Sequence, residues 1–209
     1  MKELSERSGV PVASIKYYLR EGLLAAGHAT GATQAVYDAH HLDRLRLIRI
    51  LREVGDLPIA RIAAVLRAVE DEDLPLGDLL ATAHHALGPE PSPATSDGAR
   101  TAVLAHLRAK GWNVSEEAPS LDVLAAALDA VRAEWSSPEV GPDVFDLYLE
   151  PAFTIAEQEL ASVEPGFGRS ATVQQVIVGT VVFEQALVAL RRLAQEHHSR
   201  RRFGPADPR

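Results

Sequence analysis

VPVASIKYYLREGLL (residues 10–24) places a basic, aromatic-bearing helix directly behind a tight turn. Pro11 stands at the helix entry, where its fixed φ suits the first turn and its missing N–H is no loss. Val12, Ile15, Leu19 and Leu23 recur at helical spacing and give the expected core face. Ser14, Lys16, Tyr17 and Arg20 lie on the remaining faces. Upstream, KELSERSG (2–9) reads as a short helix closed by Gly9. Two short helices joined at Gly9-Val10-Pro11 have the outline of a helix-turn-helix. A helix entering the major groove needs short polar groups near its N-terminus for base edges, and Lys, Arg or Tyr for phosphates. This one carries both. The Gly/Thr/Gln strip that follows, ending at Tyr37-Asp38, is long enough for a small β-wing.

IKYYLREGLL (15–24), VYDAHHLDRLRLIRILREVG (36–55) and LPIARIAAVL (57–66) follow one another in an order and spacing that resemble the N-terminal domain of MerR-family transcription regulators. The resemblance covers residues 2 to about 67. It implies that Ser14, Lys16, Tyr17 and Arg20 correspond to recognition-helix contacts, and Tyr37 and Arg44 to phosphate contacts. Gly31, Thr33 and Gln34 would fall at the tip and return strand of the wing. It further implies a homodimer on an inverted repeat in double-stranded promoter DNA, which acts on RNA polymerase indirectly by bending and untwisting the promoter. Two departures stand out. Family wings often carry Arg just before the closing Tyr, where this chain has Ala35 and Val36, and the chain starts almost at the first helix.

Charge is distributed to match. Residues 1–67 hold ten Lys/Arg against seven Asp/Glu, whereas residues 68–209 hold eleven against twenty-two. A mildly basic head approaches phosphate while an acidic body stays away from it. The absence of cysteine excludes thiolate metal sites, iron–sulfur clusters and thiol redox sensing. The doublets His40-His41, His84-His85 and His197-His198 do not chelate as an i, i+4 pair does, because adjacent helical residues point about 100° apart. No metal and no cofactor is expected. No signal peptide is visible at the N-terminus, so a cytoplasmic protein is expected.

The expected fold class is all-α: a winged helix-turn-helix head over 1–70, a connecting or dimerisation helix and linker over 71–98, and a helical effector domain over 99–209. The family's long pairing helix looks short here, about a dozen residues ending at Gly88. PEPSPATSDG (89–98) reads as an exposed linker. Beyond it, helices are expected over 100–110, over 121–135 with Ser120 as cap, over 144–162 with a kink or break at Pro151, and over 172–200. The last carries VQQVIVGTVVFEQALVAL (173–190), apolar nearly all round, and is expected to be buried on all sides in a bundle centre or subunit interface. Gln174, Gln175, Glu184 and Gln185 interrupt it, which argues against a membrane span.

A small organic effector would find Trp112, Trp135, Phe145, Tyr148, Phe153 and Phe183 as candidate pocket residues, with Glu150 and Glu184 as possible buried anions. Ordinary core packing would use the same aromatics, which make up only 5% of the chain. An enzyme is not expected, since no nucleophile elbow, HExxH or phosphate loop occurs. A helical-bundle enzyme and a ligand-free architectural DNA-binding protein are the alternatives. The second is weighed against by more than a hundred residues beyond what a DNA anchor needs.

Overall fold

The computed structural model describes residues 1–29, 35–89 and 96–204. Among them the chain is nearly all helical: α1 (Lys2–Ser8), α2 (Val12–Arg20), α3 (Ala39–Glu53), α4 (Ile59–Glu70), α5 (Leu76–Leu87), α6 (Asp97–Ala109), α7 (Ser120–Glu134), α8 (Asp146–Ala161) and α9 (Arg169–Phe203). Two-residue strands β1 (His28–Ala29) and β2 (Ala35–Val36) pair antiparallel, His28 opposite Val36 and Ala29 opposite Ala35. The chain divides into two compact units, Met1–Asp56 with Val173–Arg209, and Leu57–Thr172.

In the first unit α1 packs on α2 and α3. The turn between α1 and α2 is held at both sides: Ser5 Oγ donates to the Val10 carbonyl at 2.6 Å, and the Val10 N–H donates to Ser8 Oγ at 3.2 Å. Gly9 closes α1 at φ 71°, and a side-chain carbon there would collide with the Arg49 guanidinium. Leu4, Val10, Ile15, Leu23, Leu45, Ile48 and Leu51 are buried. One expected core position moves. Tyr18 is buried and Leu19 only half-buried: both follow Ile15 on one helix face, and the chain reversal after Arg20, where the Leu23 and Leu24 N–H groups donate to the Tyr18 carbonyl, turns the face towards Tyr18.

In the second unit α4 packs on α5, and Arg61 clasps the pair by donating to the carbonyls of Ala86 (2.9 Å) and Gly88. α6 and α7 pair over a core of Ala99, Val103, Leu107, Leu121, Ala125 and Leu128. Arg169 donates to the carbonyls of Ala68, Val69 and Leu74 at 2.9–3.1 Å, satisfying orphan acceptors where α4 ends.

Three expectations are corrected. Ser120 is the first helical residue of α7 behind Pro119 and caps nothing. The serine cap belongs instead to Ser96, whose Oγ accepts the Ala99 N–H at 3.2 Å and starts α6 at Asp97. Pro151 neither breaks nor ends α8. It sits in the second turn, where its fixed φ is already helical and only one donor is lost. Finally, α9 is not buried on all sides: Val173, Val176 and Ile177 are buried, but every residue from Val182 to Phe203 is exposed. By length and composition alone it is apolar enough to cross a membrane, with a mean hydropathy of 1.6 over its best 18-residue window.

Candidate nucleic-acid interface and apolar pocket

Ile15 and Tyr18 hold α2 down from beneath, so Lys16, Tyr17 and Arg20 stand exposed on its other side, with Ser14 half-buried at the edge. Burial raises the Tyr18 hydroxyl above its ordinary pKa, which keeps it neutral in the core. Tyr17 stays exposed, its ring centroid 5.9 Å from that of Tyr18.

The hairpin base comes next to this helix in the chain. Tyr37 is half-buried and packs edge-on against His41 at 5.2 Å between centroids. Asp38 caps α3 by accepting the His41 N–H at 3.1 Å, and His41 Nδ1 lies 2.6 Å from the same oxygen. That side-chain hydrogen bond is the main cause holding the Asp38 carboxyl down to about 2. His41 Nδ1 also lies 3.3 Å from the Asp38 backbone N–H, which completes a reciprocal capping box, and Nε2 is a buried atom without a hydrogen-bond partner among the described residues. Arg44 is half-buried, and its Nε donates to the Leu23 carbonyl, tying α3 to the turn that follows α2. Thr33 and Gln34, with Gly31, lie outside the described residues.

A second feature lies within Leu57–Thr172. A cavity of about 250 Å³ is walled by α6, α7, α8 and the turn between α7 and α8. Val103, Leu107, Trp112, Leu124, Phe145, Tyr148 and Leu149 make most of its surface. Besides the Tyr148 phenol, the lining carries one imidazole, His106, whose Nε2 lies 2.6 Å from Asp146 Oδ1. Lys110 Nζ meets the other carboxylate oxygen at 2.6 Å. Lys110 first, then His106, hold the Asp146 carboxyl below its usual range. Outside this bridge a more open hollow carries Lys110, Trp112, Asp146, Glu150 and Phe153, with the Trp112 and Phe153 rings 6.0 Å apart. Of the aromatic residues singled out in the sequence, the structure thus brings together Trp112, Phe145 and Tyr148, with Phe153 alongside. Trp135 is 62% exposed at the end of α7, and Phe183 and Glu184 are exposed on α9; none of the three lines either hollow. Among the described residues no group of three or more His, Asp or Glu is placed to hold a metal ion.

The family model described as MerR HTH family regulatory protein matches residues 1–69. The crystal structure of SCO5550 from Streptomyces coelicolor A3(2), described there as a candidate transcriptional regulator, superposes with a TM-score of 0.62 at 34% identity, over 99% of each chain. The chain belongs to the MerR family. A further relative, the nodulation protein NolA of Bradyrhizobium elkanii, is 42% identical over 53 residues, which are 25% of this chain and 24% of NolA. This chain therefore spans about a quarter of the length of that relative.

Within the MerR head, three residues that shape the candidate interface were given no such role by the sequence, His41 being noted only as half of a doublet. Tyr18 serves as the second anchor of α2. Gly27 lets the hairpin close, since a side-chain carbon there would sit 2.8 Å from the Val36 carbonyl oxygen. His41 locks Asp38. Only the Asp38-to-His41 spacing carried a sequence signal, that of a cap facing the third helical residue.

Proposed function

We propose that this MerR-family transcription regulator acts as a homodimer on an inverted repeat in promoter DNA, and that a small apolar molecule held between α6, α7 and α8 sets its output. The observation that carries the DNA reading is α2 itself, with Lys16, Tyr17 and Arg20 exposed above a base of buried Ile15 and Tyr18. In this reading Lys16 and Arg20 meet phosphates, Tyr17 donates its hydroxyl to the backbone, and Ser14 reaches a base edge. Thr33, Gln34 and Tyr37 contribute from the wing side, and Arg44 adds phosphate contact beyond its bond to Leu23. Two heads place two recognition helices about 34 Å apart, one turn of duplex.

The cavity supports the effector half of the reading. At about 250 Å³ it lies just below the usual size of ligand pockets, roughly 300–1,000 Å³, and its lining is apolar but for Tyr148 and a histidine already engaged by Asp146. An uncharged aromatic or branched aliphatic molecule fits that chemistry better than a cation, because no carboxylate lines the cavity. Such a ligand acts by binding one DNA-deforming state more tightly than another, with RNA polymerase sensing the promoter shape and the protein working in the cytoplasm.

Footprinting on the intergenic DNA upstream of its own gene tests this. The expected result is two protected patches related by a two-fold axis, about 10 base pairs centre to centre. A single asymmetric patch would contradict the dimer, and protection indistinguishable from that on random DNA would contradict the recognition assignment.

A further inference from the structure

From Val182 to Phe203, α9 runs for about 33 Å with every residue exposed. Its apolar side chains are not scattered along that run. Phe183, Leu187, Leu190 and Ala194 recur at four-three-four spacing on one line, and Ala186 and Leu193 widen the line on one side. Phe183, Leu187, Leu190 and Leu193 are between 46% and 63% exposed. The opposite face carries Gln185, Arg192 and Glu196, with the apolar Val188 also on that side. A stripe of this spacing is the seam of a two-helix coil rather than a surface adapted to water.

We propose that the occupant of this stripe is the same segment of a second copy, running antiparallel, so that α9 forms the seam of the dimer. The assignment rests on the dimeric reading above and names its surface. Three features of the stripe select both partner and direction. An antiparallel pair centred between Leu187 and Leu190 sets Leu187 against the partner's Leu190, and Phe183 against the partner's Ala194. Large therefore meets small at both ends, with leucines between. The same register brings Glu184 beside the partner's Arg191, and Arg191 beside the partner's Glu184, two ion pairs related by the dimer axis. A parallel pair would stack Phe183 on Phe183, leave Ala194 facing Ala194, and set Glu184 beside Gly179 and Arg191 beside Ala186, with no charge matched. Beyond the four apolar layers the register ends on Thr180 facing the partner's His197, so the seam closes on polar residues at both ends. The connection from head to seam then lies at the far end of the chain, in keeping with an α5 of only twelve residues.

Sedimentation equilibrium of the full chain, with circular dichroism to confirm the fold, tests the seam through Glu184→Arg, Arg191→Glu and the double exchange. Each single exchange sets like charges across the axis twice, and is expected to weaken the dimer about tenfold; the double exchange restores it. Because the chain has no cysteine, direction can be read separately. Phe183→Cys with Ala194→Cys is expected to cross-link into a covalent dimer under mild oxidation, whereas Ala194→Cys alone does not. A dimer insensitive to the single exchanges would overturn the seam while leaving the dimeric reading in place; a wild-type chain that stays monomeric would overturn both. Flotation with phosphatidylethanolamine/phosphatidylglycerol vesicles adds the lipid arm. Retention of wild-type chain on vesicles, lost on Leu187→Asp, would overturn the proposal by making a membrane the occupant; chain left in the aqueous fractions supports the second copy.

Discussion

Ser14 and Lys16 sit two positions apart on α2 and have separate roles in the account. In the proposed reading Lys16, exposed and charged, meets phosphate whatever the sequence, and Ser14, half-buried and short, acts at a base edge close to the helix. Lys16→Ala is expected to weaken binding to specific and random duplexes alike and to lower the salt slope by about one unit. Ser14→Ala is expected to leave that slope unchanged and relax the preference at one base step, read by binding to a set of single-base variants. Equal losses on specific and random DNA for both would contradict this placement of α2. Beneath them, Ile15 is fully buried, and Ile15→Ala is expected to cost roughly 2–5 kcal/mol, measured by denaturant unfolding. At this scale the sequence was legible where periodicity speaks, as at Ile15 and Lys16. It misplaced the second anchor because Tyr18 and Leu19 are adjacent and both can pack. Only the chain reversal after Arg20, where Leu23 and Leu24 donate back to the Tyr18 carbonyl, decides between them.

Among the elements, α6 and α8 are joined by Asp146, which bridges Lys110 and His106 at the rim of the cavity. Its carboxyl is held below the usual range, chiefly by Lys110, so the folded state favours the ionised form. The bridge therefore contributes fully above the unfolded carboxylate value of about 3.9, and its contribution is lost as pH falls through the lower folded value. Asp146→Asn is expected to lower Tm at pH 7, with the gap to wild type closing in acid. A gap that persisted unchanged below the ordinary carboxylate range would contradict the bridge. The sequence marked most helices through their capping and punctuation, including the break at Gly9 and the short α5. It misjudged Ser120 and allowed a break at Pro151 that does not occur, since a serine before a helix does not show whether the chain enters through it or through Pro119. A proline likewise does not show which helical turn it occupies. The Lys110–Asp146–His106 bridge joins residues up to forty positions apart, and no local pattern announces such a contact.

For the molecule as a whole, charge separation and the long α9 define the account. The basic excess of residues 1–67 against the acidic remainder was plain in the composition, and so was membership in a DNA-binding family, because its motifs sit close together in the chain. The apolar character of α9 was equally plain, but not its exposure. Hydrophobicity states that a surface needs cover and does not state whether the same chain supplies it. The central claim, recognition of a specific duplex by the α2 face, is tested most directly by titrating the purified chain against its own upstream intergenic DNA and a random duplex across a range of salt. The account predicts tighter binding to the specific duplex at every salt concentration, with log affinity falling linearly against log salt by about 0.9 for each phosphate neutralised. Equal affinity for both duplexes, or binding that ignores salt, would contradict it.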